Sequence, residues 1–180
     1  MERLVGMVRI ECVAGDITRQ DDVDAVVNAA NAQLRPGGGV AGAIHRAAGP
    51  QLYAACRPLA PLRAGEAVPT PGFRLPNRCV VHCLGPVYGV DEPSAAILAA
   101  CYRNVLALDE RHGVASLATP AVSTGVFGFP LRGAADVALR RVVQAAASLQ
   151  RVRLVRFVLW GEEAAVAHEA ALARWAGERT

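Results

Sequence analysis

"NAANAQLRPGGGVAGAIHRAAG", residues 28 to 49, leaves an apolar strand, crosses a polar loop and ends as a helix. The run before it, "DAVVNAA" (24–30), is β-branched and leads directly into Asn31. Gly37, Gly38 and Gly39 then precede Val40, Ala41 and Ile44, whose apolar spacing is helical. A strand that opens through a glycine turn into a helix is the repeating unit of an α/β sheet. Asn28 and Asn31 each donate and accept hydrogen bonds, which suits sugar hydroxyls. The glycines let the main chain approach a bulky polar group and offer it amides at a helix N-terminus, a favourable place for phosphate. The pattern is neither a Walker A loop nor a GxGxxG fingerprint, because no Gly-Lys-Ser/Thr follows and the glycine spacing differs.

Working outward, apolar β-branched runs at 7–13, 79–85, 114–121 and 152–160 read as further strands. Helices are expected from Val40 to about Ala48 and over 50–58, 94–112, 132–149 and 162–176. The Pro- and Arg-rich stretch 57–78 is expected to be a loop with one short strand, and the whole chain a single domain. Two more strand ends carry unusual loops. "GDIT" (15–18) offers Asp16, able to accept from an amine-bearing ring or simply to cap a turn. "STGVFGFP" (123–130) offers backbone amides around Gly125 and Gly128 as a second anion nest, with Phe127 placed to cover a sugar ring or to plug a tight turn. Two phosphate cradles, an acceptor for a base and an amide for a ribose together imply a dinucleotide-like ligand with a pyrophosphate.

The bulk composition of the 180 residues is 53% apolar and 19% charged, that of an ordinary soluble globular fold. All 19 basic residues are Arg, which points to a GC-rich genome, and the net charge of +3 describes a solvated surface. An RNA-binding reading would rest on arginine content alone and would show itself as binding that falls steeply with salt. No segment reads as a signal peptide or a membrane span, so a cytoplasmic protein without a membrane partner is expected. Cys12, Cys56, Cys79, Cys83 and Cys101 lie mostly in apolar patterns and read as reduced core thiols. In "CVVHCLG", alternation puts Cys79, Val81 and Cys83 on one face and His82 on the other, and no second ligand pair follows, so no metal is expected.

Taken in order, "GDIT", "VVNAAN", "GGGVAGAIHRAAG", "LPNRCVVHCLGPVY" and "ATPAVSTGVFGFP" resemble the signatures of the macrodomain family from about Val13 to Pro130. "AIHRAAG" and "HCLGPVY" are most similar to its MacroD-type branch, which includes hydrolases of protein-linked ADP-ribose and of O-acetyl-ADP-ribose. The resemblance implies a three-layer α/β/α fold with a central mixed, mostly parallel sheet. It implies a monomer without cofactor that takes ADP-ribose, its esters and mono-ADP-ribosylated proteins. Asp16 would hold the adenine amino group beside the amide of Ile17, and Asn31 the distal ribose. Gly38, Gly39 and Val40 would line one side of the pyrophosphate, and Ser123, Thr124, Gly125, Val126 and Phe127 the other. Trp160 would lie near the adenine, or else close the sheet edge as a core residue.

Ala41 departs from that pattern. The MacroD-type enzymes carry an Asp there, ten residues after the ribose-binding Asn, to position the attacking water. A methyl group neither orients water nor accepts a proton. The resemblance leaves three readings: a binder that does not cleave, a hydrolase that uses the substrate's own phosphate with Asn31 to hold water, or a position altered to trap a ligand. Ala-bearing viral relatives carry a His before the triple glycine, where this chain has Pro36. His45, one turn beyond Ala41 on the same helix face, is a candidate surrogate base or a packing residue.

Overall fold

The computed structural model describes residues 1–177. Its strands are β1 (Glu2–Val5), β2 (Val8–Ala14), β3 (Ala25–Ala29), β4 (Ala67–Pro71), β5 (Cys79–Cys83), β6 (Ser116–Thr119) and β7 (Leu154–Leu159). Its helices are α1 (Gly39–Ala48), α2 (Pro50–Cys56), α3 (Ser94–Arg111), α4 (Leu131–Ala146) and α5 (Glu162–Gly177). The strands form one seven-stranded sheet in the order β1-β2-β7-β6-β3-β5-β4, parallel throughout its centre and antiparallel only at the two edges.

Period-two alternation sorts the strand side chains into two cores. Ala25, Val27, Val81, Cys83, Val155, Phe157 and Leu159 pack with α3, α4 and α5. Val26, Val80, Leu154 and Val158 pack with Ile44 and Ala48 of α1 and with Leu52 and Cys56 of α2. The result is the expected α/β/α layering, with helices on both faces of a mostly parallel sheet. Cys79, Val81 and Cys83 share the α3 side as the alternation required, and His82 lies on the other.

Several boundaries differ from the sequence reading. β1 was not expected: its residues are mostly exposed at the sheet edge, so they carry no apolar rhythm, and Gly6 at φ +61° turns it back onto β2. The strand expected over 114–121 shortens to Ser116–Thr119 ahead of Pro120, which has no N–H for a ladder. α2 stops at Cys56 and passes into a 3-10 turn, Arg57–Leu59: Arg57 keeps helical torsions, but Pro58 has no N–H to continue the α-helical ladder. α4, expected over 132–149, begins at Leu131 right after Pro130 and ends at Ala146. Among the described residues no helix is long and apolar enough to cross a membrane.

Candidate functional site

Because β2, β7, β6, β3 and β5 run parallel, their carboxyl ends all open at one rim. Across that rim the strand order places Asp16 after β2, Trp160 after β7, the Ser123–Phe129 loop after β6 and the Asn31–Gly38 loop after β3. The β5–α3 connection completes it. Sequence neighbours are thus reordered into a single row, with Asp16 and Trp160 together at one end and Asn31 toward the other.

At the first end Asp16 caps a short 3-10 turn, Ile17–Arg19. Its Oδ1 accepts from the Thr18 hydroxyl at 2.7 Å and the Thr18 amide at 2.8 Å, and those bonds hold the carboxyl below its ordinary range. Oδ2 lies 3.8 Å from Arg19 Nε and retains acceptor capacity for an incoming amine. The turn's base is fixed from the sheet: Arg156 donates to Gln20 Oε1, and Gln20 donates to the Asp16 carbonyl oxygen. The Ile17 amide has no acceptor among the described residues. Trp160 is 87% exposed, which removes the alternative that it closes the core. The residue stands beside Gly161 at φ +89°, just past the end of β7, the strand paired with the β2 that leads to Asp16.

The glycine loop forms one wall of the central cradle. Asn31 uses both ends of its carboxamide on Arg35: Oδ1 accepts from the Arg35 amide at 2.9 Å, and Nδ2 donates to the Arg35 carbonyl oxygen at 2.8 Å. This bracket holds a turn in which the buried Leu34 sits at φ +54°. Each carboxamide atom keeps one further bonding position for a hydroxyl. Gly38 caps α1, and Gly39 adopts φ +54°. The amides from Gly37 to Ala41 have no acceptor among the described residues, so the N-terminus of α1 is bare. Gly42 serves a different end: a Cβ there would strike the Gly37 carbonyl oxygen.

The opposite wall is the loop after β6. Ser123 takes φ +67°, and its carbonyl oxygen accepts from Phe129 at 2.9 Å. Gly128, at φ +71°, donates to Gly125 at 3.0 Å. Between these closures the amides of Thr124, Gly125, Val126 and Phe127 have no acceptor among the described residues. Val126 is fully exposed and Phe127 half-buried. Two rows of unpaired N–H groups, one at a helix N-terminus, suit a bridging diphosphate.

Two sequence candidates fall outside this cradle. Asn28 is buried, not rim-facing: its Nδ2 meets His82 Nδ1 at 3.0 Å, while His82 Nε2 meets Thr70 Oγ1 at 2.9 Å. It therefore supports the floor, a correction to its reading as a ribose ligand. Burial, with His45 nearby, pushes His82 down to about 3 and keeps it neutral. His45 is also buried, its ring 6.4 Å from His82 and 6.3 Å from Tyr53, with neither nitrogen partnered among the described residues. Burial lowers its pKa as well. Ala41 is buried one turn earlier on α1. Among the described residues no group of three His, Cys, Asp or Glu could hold a metal ion.

This frame has close counterparts. The Macro domain signature matches residues 27–138. A Macro domain-containing protein of Ralstonia nicotianae is 51% identical over 81% of this chain and 85% of its own length. An O-acetyl-ADP-ribose deacetylase of Salmonella typhimurium is 46% identical over 87% of this chain and 90% of its own. Among solved structures, the Oceanobacillus iheyensis macrodomain with ADP superposes with a TM-score of 0.93 at 37% identity, covering 97% of this chain and 95% of that one. A glycine-to-valine variant of that macrodomain was solved with ADPR. Two further variants replace by alanine an asparagine and an aspartate ten positions beyond it. With the sheet order, the strand-end loops and these likenesses in agreement, the chain belongs to the Macro domain family.

Proposed function

We propose that the rim binds ADP-ribose, with adenine between Asp16 and Trp160, the diphosphate between the two amide walls and the distal ribose at Asn31. The observation that carries this reading is the row itself. From β2 to β3 is three strand spacings, about 14 Å at the usual separation, a span suited to a nucleoside diphosphate sugar lying across the strand ends. That ADP and ADPR occupy macrodomain structures sharing this fold supports the assignment.

The chain is of the MacroD-type hydrolase lineage, directed at mono-ADP-ribose esters on acidic side chains of proteins and at O-acetyl-ADP-ribose, with turnover impaired by Ala41. The deacetylase relative supports the reaction class. Asn31 and Ala41 stand ten positions apart, as do the asparagine and aspartate altered in the solved variants, which supports placing Ala41 at an aspartate position. Ester cleavage needs a water held beside the distal ribose, and a methyl group holds none. A second reading, a non-catalytic reader of ADP-ribosylated proteins, is favoured by Ala41 together with the inward, buried place of His45.

The deciding experiment compares this chain with Ala41→Asp for release of ADP-ribose from a mono-ADP-ribosylated acidic protein. The Asp protein is expected to turn over about 100- to 10,000-fold faster, the usual worth of one positioned acid or base. Both proteins should show saturable ADP-ribose binding. Equal activity in the two would make the carboxylate dispensable, and inactivity of both would leave the reader reading. Absence of ADP-ribose binding by the parent protein would remove the function altogether.

A further inference from the structure

The β5–α3 connection, Leu84 to Pro93, contributes none of the ligand-facing groups described above, yet it touches the second amide wall at its most constrained point. An ideal Cβ on Gly85 would fall inside contact distance of Ser123 Oγ, 2.7 Å from Val122 Cγ1 and 3.3 Å from Ser123 Cβ. Gly85 is buried and does not adopt a positive φ, so glycine is required there for space and not for backbone torsion. Ser123 meets it in a left-handed conformation that L-residues rarely occupy, with Oγ buried and unpartnered among the described residues. Such a conformation persists only where its surroundings hold it.

Those surroundings leave little freedom on either side. The Leu84 carbonyl oxygen accepts from the Cys101 thiol at 3.2 Å and from the Gly65 amide at 2.7 Å. The Tyr102 hydroxyl accepts from the Val122 amide and donates to the Pro120 carbonyl oxygen, each a long contact of 3.4 Å. Cys101 and Tyr102 are consecutive on α3, so a single turn of that helix anchors the base of both loops. Further out, the Tyr88 amide donates to the Phe127 carbonyl oxygen at 2.9 Å, and its ring stacks obliquely on Phe129 at 4.8 Å.

Building on the ADP-ribose reading, we propose that Gly85 is a positioning residue: by omitting a side chain it sets the separation of the β5 and β6 loops and so places the free amides of Thr124 to Phe127 for the diphosphate. A methyl group here meets Ser123 Oγ and Cβ and Val122 Cγ1, all side-chain atoms. Ser123 Cβ is fixed by its backbone, and Val122 is buried with a branched side chain stiff at χ1, so rotation relieves the contact only in part and the loop shifts.

The test measures ADP-ribose and adenosine affinity in Gly85→Ala, in Val122→Ala/Ser123→Gly and in the triple variant. Adenosine has no phosphate and reports the Asp16–Trp160 end alone. Gly85→Ala is expected to weaken ADP-ribose about tenfold or more, the worth of one or two hydrogen bonds to a charged group, while adenosine binding stays within about twofold. In the background without the clashing atoms the same substitution should have little further effect. If Gly85→Ala alone does not fold, the triple variant must fold and bind, because the offending contacts are gone. Equal loss in both backgrounds, parallel loss of adenosine and ADP-ribose, or failure of the relieved variant to fold would each overturn the proposal. Unchanged ADP-ribose binding in Gly85→Ala overturns it too, while leaving the ADP-ribose reading intact. A parent that binds neither ligand defeats that reading first.

Discussion

The two amide walls offer the same chemistry and are built in opposite ways. The wall after β3 is local: three glycines, a helix start, and an Asn31 carboxamide that brackets Arg35 four residues on. A Cβ on Gly38 or Gly39 would meet nothing within 4 Å, so the space beside them is open. The wall after β6 depends on distant parts of the chain. Gly85, Tyr88 and Tyr102 determine where it stands, and its strained residue is a serine. A backbone anion site can thus be specified by its own few residues or positioned by neighbours; both walls carry a contiguous motif, but the second motif does not disclose the distant residues that set where it stands.

Gly42→Ala is the strongest way to break the local wall. Alanine is favoured over glycine inside a helix by about 1 kcal/mol. Here the added methyl meets the Gly37 carbonyl oxygen, and backbone cannot rotate aside as a side chain can. Overpacking of this kind costs about 1 to 3 kcal/mol, so a net loss of stability is expected, along with ADP-ribose affinity. Urea unfolding and calorimetric titration check both. A stabilised variant would mean that the first wall yields more easily than the second.

Acid should act next most strongly, on the floor beneath the local wall. The folded-state pKa of His82 lies near 3 against 6.5 for a free histidine. Its neutral form therefore contributes stability that is fully present above pH 6.5 and is lost as the pH falls toward 3. Asp109, pushed up to about 8 by burial, works in the opposite sense, losing stability as pH rises from the ordinary carboxylate range. The difference between parent and His82→Gln isolates the first effect. Parallel pH curves for the two proteins would exclude His82 as its source.

Asn31→Ala should produce a smaller change in stability, about 1 kcal/mol, because the bracket is half-exposed and water can replace it. ADP-ribose affinity and any residual turnover should fall further than that. If both are unchanged, the glycines alone shape this wall and the distal ribose lies elsewhere. The smallest effect is expected at Trp160, outside both walls. With its side chain in solvent, Trp160→Ala should alter stability by less than about 0.5 kcal/mol and weaken ADP-ribose by about tenfold. A marked drop in melting temperature would show that the indole packs after all.

Much of the rim was legible in residue order because parallel strands must end on the same side. "GDIT", "NAAN" and "STGVFG" each follow a strand, and no further geometry is needed to bring such loops together. Other features were not legible. Asn28 and Asn31 looked interchangeable in sequence, yet strand alternation and the place of His82 send one inward and leave the other at the rim. β1 had no apolar rhythm to betray it. Gly85 lies in a motif whose other residues resemble the family, but its need for emptiness belongs to Ser123, 38 positions away.

By itself, the sequence determined the α/β alternation, the strand-end loops, the bare helix start and the methyl group at position 41, since each follows from properties of consecutive residues. Tertiary structure alone decided the order of the row from Asp16 to Asn31, the inward turn of His45 and Asn28, the exposure of Trp160 and the spacing of the second wall. Those depend on which strands lie side by side and on which atoms exclude one another, and neither is encoded in any short stretch of chain.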